Sequence, residues 1–126
     1  MSLILDEFNT KVVIELENGI YRFTNQSSTG KSYLYNVLSI YLKGKIPVFA
    51  INYIDFLKGI TLDTAFKNNA RLILLDRYDM YKGAFDKEIN ELSKQATVLL
   101  DCKSPTPLEA RYCIIKLLNS NHIVVR

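Results

Sequence analysis

Thr24-Asn25-Gln26-Ser27-Ser28-Thr29-Gly30-Lys31-Ser32 separates two segments of different periodicity, and the fold can be read outward from it. Before it, Ile20-Tyr21-Arg22-Phe23-Thr24 alternates, with Ile20, Arg22 and Thr24 on one face and Tyr21 and Phe23 on the other, as a strand requires. After it, Leu34, Val37, Leu38, Tyr41 and Leu42 recur at helical spacing within Ser32 to Lys43, which predicts an amphipathic helix. Gly44 suits the C-terminal cap of that helix, and Lys43 complements the negative end of its dipole. A strand therefore leads into a loop of small polar residues, and a helix start, with its unpaired N–H groups, closes the loop.

Farther along, Ile46-Pro47-Val48-Phe49-Ala50-Ile51-Asn52 is an almost continuous apolar run, as expected of a parallel strand covered on both faces, with its proline at the start. Ala70–Asp76 and Ala96–Asp101 repeat the pattern, and each ends in a carboxylate. Between these runs, Tyr53 to Asn69 fits one or two short helices. Asp86 to Lys94 predicts another, with Asp86 as its cap and Ile89 and Leu92 facing inward. Strands alternating with helices imply βαβ crossovers and a mainly parallel sheet. Toward the N-terminus, Lys11–Glu17 is joined to Ile20–Thr24 by Asn18-Gly19, a strong hairpin signal because a type I′ turn needs positive φ at both central residues. Beyond the break at Ser104-Pro105-Thr106-Pro107, Tyr112–Leu118 and His122–Arg126 flank Asn119-Ser120-Asn121 and predict a closing hairpin, with a helix over 108–118 as the alternative.

The chain has 126 residues, 48% apolar and 23% charged, which suits one globular domain over 1–126. No apolar run approaches the roughly 20 residues of a spanning helix, and the first residues lack a secretory leader's basic and apolar regions, so the expected location is cytoplasmic. The net charge of +3 is scattered, so nucleic-acid binding is not indicated. Cys102 and Cys113 form no C-x-x-C pair and have no histidine cluster beside them, which argues against zinc. Cys113 lies in an apolar segment and reads as core, whereas Cys102 follows a strand, where an accessible thiol is one reading but nothing beside it argues for activation.

The loop itself carries the chemistry. In the pattern G-x-x-x-x-G-K-[ST], backbone N–H groups cradle phosphates, the lysine reaches the outer phosphates and the hydroxyl ligates Mg²⁺. Gly30-Lys31-Ser32 match it, and Asn25 stands in place of the first glycine, a residue that still reaches positive φ. With the strand before, the helix after and Leu72-Ile73-Leu74-Leu75-Asp76 downstream, residues 12–101 resemble a compact P-loop NTPase of the additional-strand type. The resemblance implies a three-layer α/β P-loop NTPase-like fold with a mainly parallel sheet and, here, an N-terminal and a C-terminal β-hairpin. It implies that Val98–Asp101 lies in space between the Walker A and Walker B strands. It also implies ATP or another NTP with Mg²⁺ as cofactors, with Asn25, Ser28, Thr29, Gly30, Lys31, Ser32 and Tyr33 around the nucleotide and Ser32 and Asp76 on the metal.

The chain departs from the family where water would be activated. Arg77 follows Asp76, where hydrolytic members usually carry a glutamate. Asp79 is the substitute base only if the following loop turns it inward, and Asp101 reads first as a solvated carboxylate at the next strand end, with a sensor-like polar group as the other reading. Arg77, Arg111 and Arg126 read first as surface or ion-pair residues, with an arginine finger as the other reading. Tyr33, Tyr35, Tyr41, Tyr53, Tyr78 and Tyr81 read as core or groove filler, with base stacking as the alternative. Two functions follow: a nucleotide-binding protein whose hydrolysis is weak or partner-dependent, and a degenerate P-loop scaffold acting as a protein-interaction module. A homo-oligomer or a protein partner fits either.

Overall fold

Among the described residues nine strands build the core together with the helical segments that join them, and long-range partners decide which sheet each strand joins. The computed structural model describes residues 2–7, 10–23, 34–36, 48–119 and 122–126. The strands are β1 (Ser2–Glu7), β2 (Thr10–Glu15), β3 (Gly19–Phe23), β4 (Val48–Ile51), β5 (Leu72–Leu75), β6 (Thr97–Leu100), β7 (Arg111–Cys113), β8 (Ile115–Asn119) and β9 (His122–Val125). Two sheets result, one ordered β1-β2-β9-β8 and the other β4-β5-β6-β3-β7. Every pairing in the five-stranded sheet is parallel. The chain is thus α/β with mostly parallel sheet, and β6 lies between β3 and β5, the place the resemblance gives to Val98–Asp101.

β5 and β6 are buried at all four positions, as the continuous apolar runs predict for central parallel strands. Alternation then sends their side chains into two cores. Tyr21, Phe23, Val48, Ala50, Leu72, Leu74 and Leu99 share one core with Leu34 and with Val12, Ile14, Ile123 and Val125 of the four-stranded sheet. Ile20, Ile51, Ile73, Leu75, Val98 and Leu100 face the other way, under the helical segments. Those segments are α1 (Tyr53–Leu57), α2 (Asp63–Lys67), a 3-10 turn at Tyr78–Tyr81 and α3 (Asp86–Leu92). Tyr53–Asn69 therefore holds two short helices. The first is fixed by a reciprocal cap in which Asp55 N donates to Asn52 Oδ1 at 2.8 Å and Asn52 N to Asp55 Oδ2 at 3.2 Å.

The expected hairpin across Asn18-Gly19 does not form. β2 pairs with β1 and β9, while β3 pairs with β6 and β7, so the two runs enter different sheets. Gly19 adopts φ 145°, its N donates to Ala96 O at 3.1 Å, and an added Cβ would come within 2.6 Å of Arg111 Nη2. That guanidinium is held by Asn18 O at 3.0 Å and lies 4.6 Å from the Tyr21 ring centroid. Glycine is needed here for a corner between sheets, and long-range pairing overrides the local turn preference. The N-terminal antiparallel pair is instead β1 with β2, one strand earlier.

At the other end β8 and β9 form the expected antiparallel hairpin, which removes the helical alternative for 108–118. Arg111–Cys113 is diverted to the other sheet beside β3. Asp86 is not the cap of α3: Phe85 holds that position, and Asp86 Oδ1 accepts from the Tyr78 hydroxyl at 2.6 Å. Cys102 and Cys113 are both buried and form no disulfide, so Cys102 is not accessible. Among the described residues no helix is long and apolar enough to cross a membrane.

Candidate functional site at the carboxyl edge of the five-stranded sheet

Strand register brings the downstream acidic residues together. Ile51 pairs with Leu75, Leu75 with Leu100 and Leu100 with Arg22, so these four form one row across β4, β5, β6 and β3. The next residues, Asn52, Asp76, Asp101 and Phe23, form the following row at the carboxyl ends. Because β6 separates β5 from β3, Asp101 lies between Asp76 and the point where the chain leaves β3 toward residue 24. Phe23 and Leu34, the described residues on either side of 24–33, are buried in the same core. Next to Leu34, the Tyr35 hydroxyl donates to Asp55 Oδ2 at 3.0 Å. In open parallel sheets this carboxyl edge is where ligands bind. Asn25, Ser28, Thr29, Gly30, Lys31, Ser32 and Tyr33 lie outside the described residues, as does most of the helix expected over 32–43.

The backbone beneath the acidic row is anchored. Asp76 N donates to Ile51 O at 2.8 Å, and the Tyr81 hydroxyl donates to Asp76 O at 2.9 Å and to Ile51 O at 3.2 Å. Asp101 N donates to Leu75 O at 3.0 Å, and Asp101 O accepts from Tyr78 N at 2.7 Å. Asp101 is only 5% exposed. Burial and, after it, the neighbouring Asp101 carboxylate together push the Asp76 carboxyl up to about 6 against the opposing pull of Arg77. Two carboxylates side by side suit a hard divalent cation such as Mg²⁺, which takes one or two carboxylates and fills its shell with water and phosphate oxygens. Among the described residues no group of three or more potential ligands assembles, so such a cation would depend on those outside donors.

Arg77 turns the chain directly after Asp76, in the left-handed region at φ 51°, ψ 48°. Its Nη2 donates to Asp79 Oδ2 at 3.4 Å and approaches Met80 Sδ at 3.7 Å, while its Nε is buried with no partner. Asp79 is turned inward, with its side chain 14% exposed, but toward Arg77. Its Oδ1 also accepts from Lys103 N at 3.4 Å. Burial pushes the Asp79 carboxyl up, but the Arg77 and Lys103 hydrogen bonds outweigh it and hold the group below its ordinary value. The two acidic groups thus have opposite environments. Asp79 is paired and ionised, and Asp76 is the one moved toward neutral pH.

Tyr78 and Tyr81 are 0% and 4% exposed and belong to the core, which removes them as base-stacking residues. Arg111 is committed to Tyr21, Asn18 and, at 3.8 Å, Glu17. Two contacts on the 102–105 segment escape sequence reasoning. Arg22 Nη2 donates to Cys102 O at 2.8 Å and to Ser104 O at 3.3 Å, and Lys82 Nζ donates to Pro105 O at 3.0 Å. The only sequence signal for the first is that Arg22 shares the Ile20 face of its strand. No protein-family model, no curated protein and no solved structure matches this chain.

Proposed function

We propose that the chain is a P-loop-type nucleotide-binding domain that takes ATP with Mg²⁺ at the carboxyl edge of the five-stranded sheet, with weak or partner-dependent hydrolysis. One observation carries this reading: the order β5-β6-β3 lines up Asp76 and Asp101 beside the exit of β3, from which the Gly30-Lys31-Ser32 loop departs in sequence. In this reading Lys31 and the loop N–H groups hold the phosphates, and Ser32 and Asp76 orient the cation. The cation, when bound, supplies charge neutralisation at the phosphates. Asp101 keeps a second carboxylate at the site.

Weak hydrolysis follows from what occupies the position of a base. Arg77 stands where a glutamate would be, and Asp79 is engaged by Arg77 and Lys103. The same two facts favour the second reading, a P-loop scaffold without turnover that serves as a protein-interaction module. Thermal unfolding with and without Mg²⁺–ATP separates them. At about 100 times its dissociation constant a ligand stabilises by about 2.7 kcal/mol, a shift of several degrees in a domain of this size. Lys31→Ala is expected to abolish most of that shift. No shift with millimolar Mg²⁺–ATP or Mg²⁺–GTP would leave the scaffold reading standing, and a full shift in Lys31→Ala would place the nucleotide elsewhere.

A further inference from the structure

Four strands bound the two sheets, and they are not equally protected. An edge strand presents unpaired N–H and C=O groups to any strand offered, and proteins blunt such edges with short strands, lysine, proline or bulges. In the five-stranded sheet β7 is three residues long, and β4 is four, with Val48, Ala50 and Ile51 buried. In the four-stranded sheet β8 contains Lys116, and its pairing with β9 shifts register between Leu117 and Asn119. β1 has none of these features. Its six residues, Ser2-Leu3-Ile4-Leu5-Asp6-Glu7, include no lysine, arginine or proline and pair with β2 without a break in register. Among the described residues no strand pairs with its other edge. In the middle of this strand Ile4 is 60% exposed.

We propose that this edge pairs with the β1 edge of a second copy of the chain, antiparallel about a two-fold axis through Ile4, to make one eight-stranded sheet. The choice of occupant follows from the strand read against itself. Directly opposite residues of an antiparallel pair share a face, so a two-fold pairing that keeps both cores on one side is centred on a residue. Centred on Ile4, it sets Ile4 against its own copy, Leu3 against Leu5 and Ser2 against Asp6. Centred on Leu5, it would set Ile4 against Asp6 and Leu3 against Glu7, with carboxylates beside apolar residues. Centred on Leu3, it would pair only Ser2 to Ile4 of the strand. Register within the sheet favours the same centre. Ile4 pairs with Val13 and Val13 with Val124, a row outside the core that holds Val12, Ile14, Ile123 and Val125. Val124 is buried and Val13 half-buried, whereas Ile4 ends the row in the open. A second copy covers Ile4 and carries the row across the axis. Because the surface is isologous, assembly closes at two copies and leaves β8 as the outer edge on both sides. Only the four-stranded sheet takes part, so the pairing stands whether or not a nucleotide binds.

Sedimentation equilibrium of the whole chain is expected to show a monomer–dimer equilibrium that moves with concentration. Ile4→Lys sets like charges against each other at the axis and should weaken dimerisation by about tenfold or more. Leu57→Lys alters another exposed apolar residue, away from the edge, and should leave dimerisation as in the wild type. Cross-linking tests the register without disturbing it. Under mild oxidation by oxidised glutathione, Ile4→Cys should form a covalent dimer about tenfold or more faster than Lys11→Cys, whose residue lies one strand inward, on β2. Cys102 and Cys113 are buried and do not compete. A wild type that stays monomeric at about 1 mM would overturn the proposal, as would assembly beyond the dimer. Dimerisation that survives Ile4→Lys, an equal loss in Leu57→Lys, or equal cross-linking at residues 4 and 11 would overturn it as well.

Discussion

The two ends of the 3-10 turn at Tyr78–Tyr81 face opposite physical demands. Below it lies an aromatic cluster in which Tyr81 is packed edge-on to Tyr78 at 5.2 Å and stacked on Phe56 at 5.3 Å between ring centroids. Both tyrosine hydroxyls of the turn are used: Tyr78 donates to Asp86 at 2.6 Å and accepts from Phe85 N at 3.0 Å, and Tyr81 donates to the carbonyls of Ile51 and Asp76. Above it lies the acidic edge, with like charges side by side, a strained arginine and an unpartnered buried Nε. The satisfied cluster holds in place the backbone on which the unsatisfied edge is displayed. Stability and binding chemistry are separated by a few residues of chain.

The strongest way to break that arrangement is to empty the cluster. Tyr78→Ala removes a fully buried aromatic ring and should cost about 3–5 kcal/mol, as large-to-small core changes do. Tyr78→Phe keeps the ring but strips the buried Phe85 N–H of its acceptor and should cost about 1–3 kcal/mol. Urea titration of both variants checks the ordering. Equal losses would mean that the hydroxyl, and not the ring, fixes the turn.

The acidic edge should respond in the opposite direction. The folded Asp76 carboxyl is pushed up to about 6 from 3.8, so its proton-bound form is favoured by folding. Its contribution is then fully present below about pH 4 and is lost as pH rises through 6. A two-unit shift corresponds to about 3 kcal/mol, and partial exposure to solvent brings the expected effect nearer 1–2 kcal/mol. Asp76→Asn should therefore be more stable than wild type by about that amount at pH 7.5 without Mg²⁺, and equal to it near pH 4. The same variant should lose the Mg²⁺–ATP stabilisation. Unfolding curves across pH 4–7.5 test both halves, and a variant less stable at pH 7.5 would show that the carboxylate is not held against a cost.

Much of this contrast is legible in the amino-acid sequence. The runs over 72–75 and 97–100 are apolar at nearly every position, as suits a strand with both faces covered, and both take inner places in the sheet, whereas the equally apolar run over 48–51 lies at its edge. Asp76 and Asp101 mark the ends of two of those strands, which places them on one edge once the strands are parallel. What fails is local inference where partners are distant. Asn18-Gly19 carries a hairpin signal, yet the choice of sheet for β2 rests on β9, at the far end of the chain. Ser2–Glu7 becomes a strand because β2 offers an edge to it, which its own residues do not announce. Nor does the spacing of Arg77 and Asp79 disclose that they pair, since that depends on the left-handed turn between them.

The smallest and most specific effect concerns that turn. Arg77→Ala and Arg77→Gly both delete the guanidinium, its Asp79 contact and its influence on Asp76, so these losses cancel in a comparison of the two. What remains is the cost of a Cβ at φ 51°, about 1 kcal/mol in favour of glycine, reduced by the greater freedom of glycine in the unfolded chain. Arg77→Gly should melt up to a few degrees above Arg77→Ala. If alanine melts higher, the left-handed turn is not maintained in solution without its arginine, and the aromatic cluster does not hold the edge by itself. If glycine melts higher, the strain at residue 77 is imposed from below, by the packed side of the same turn.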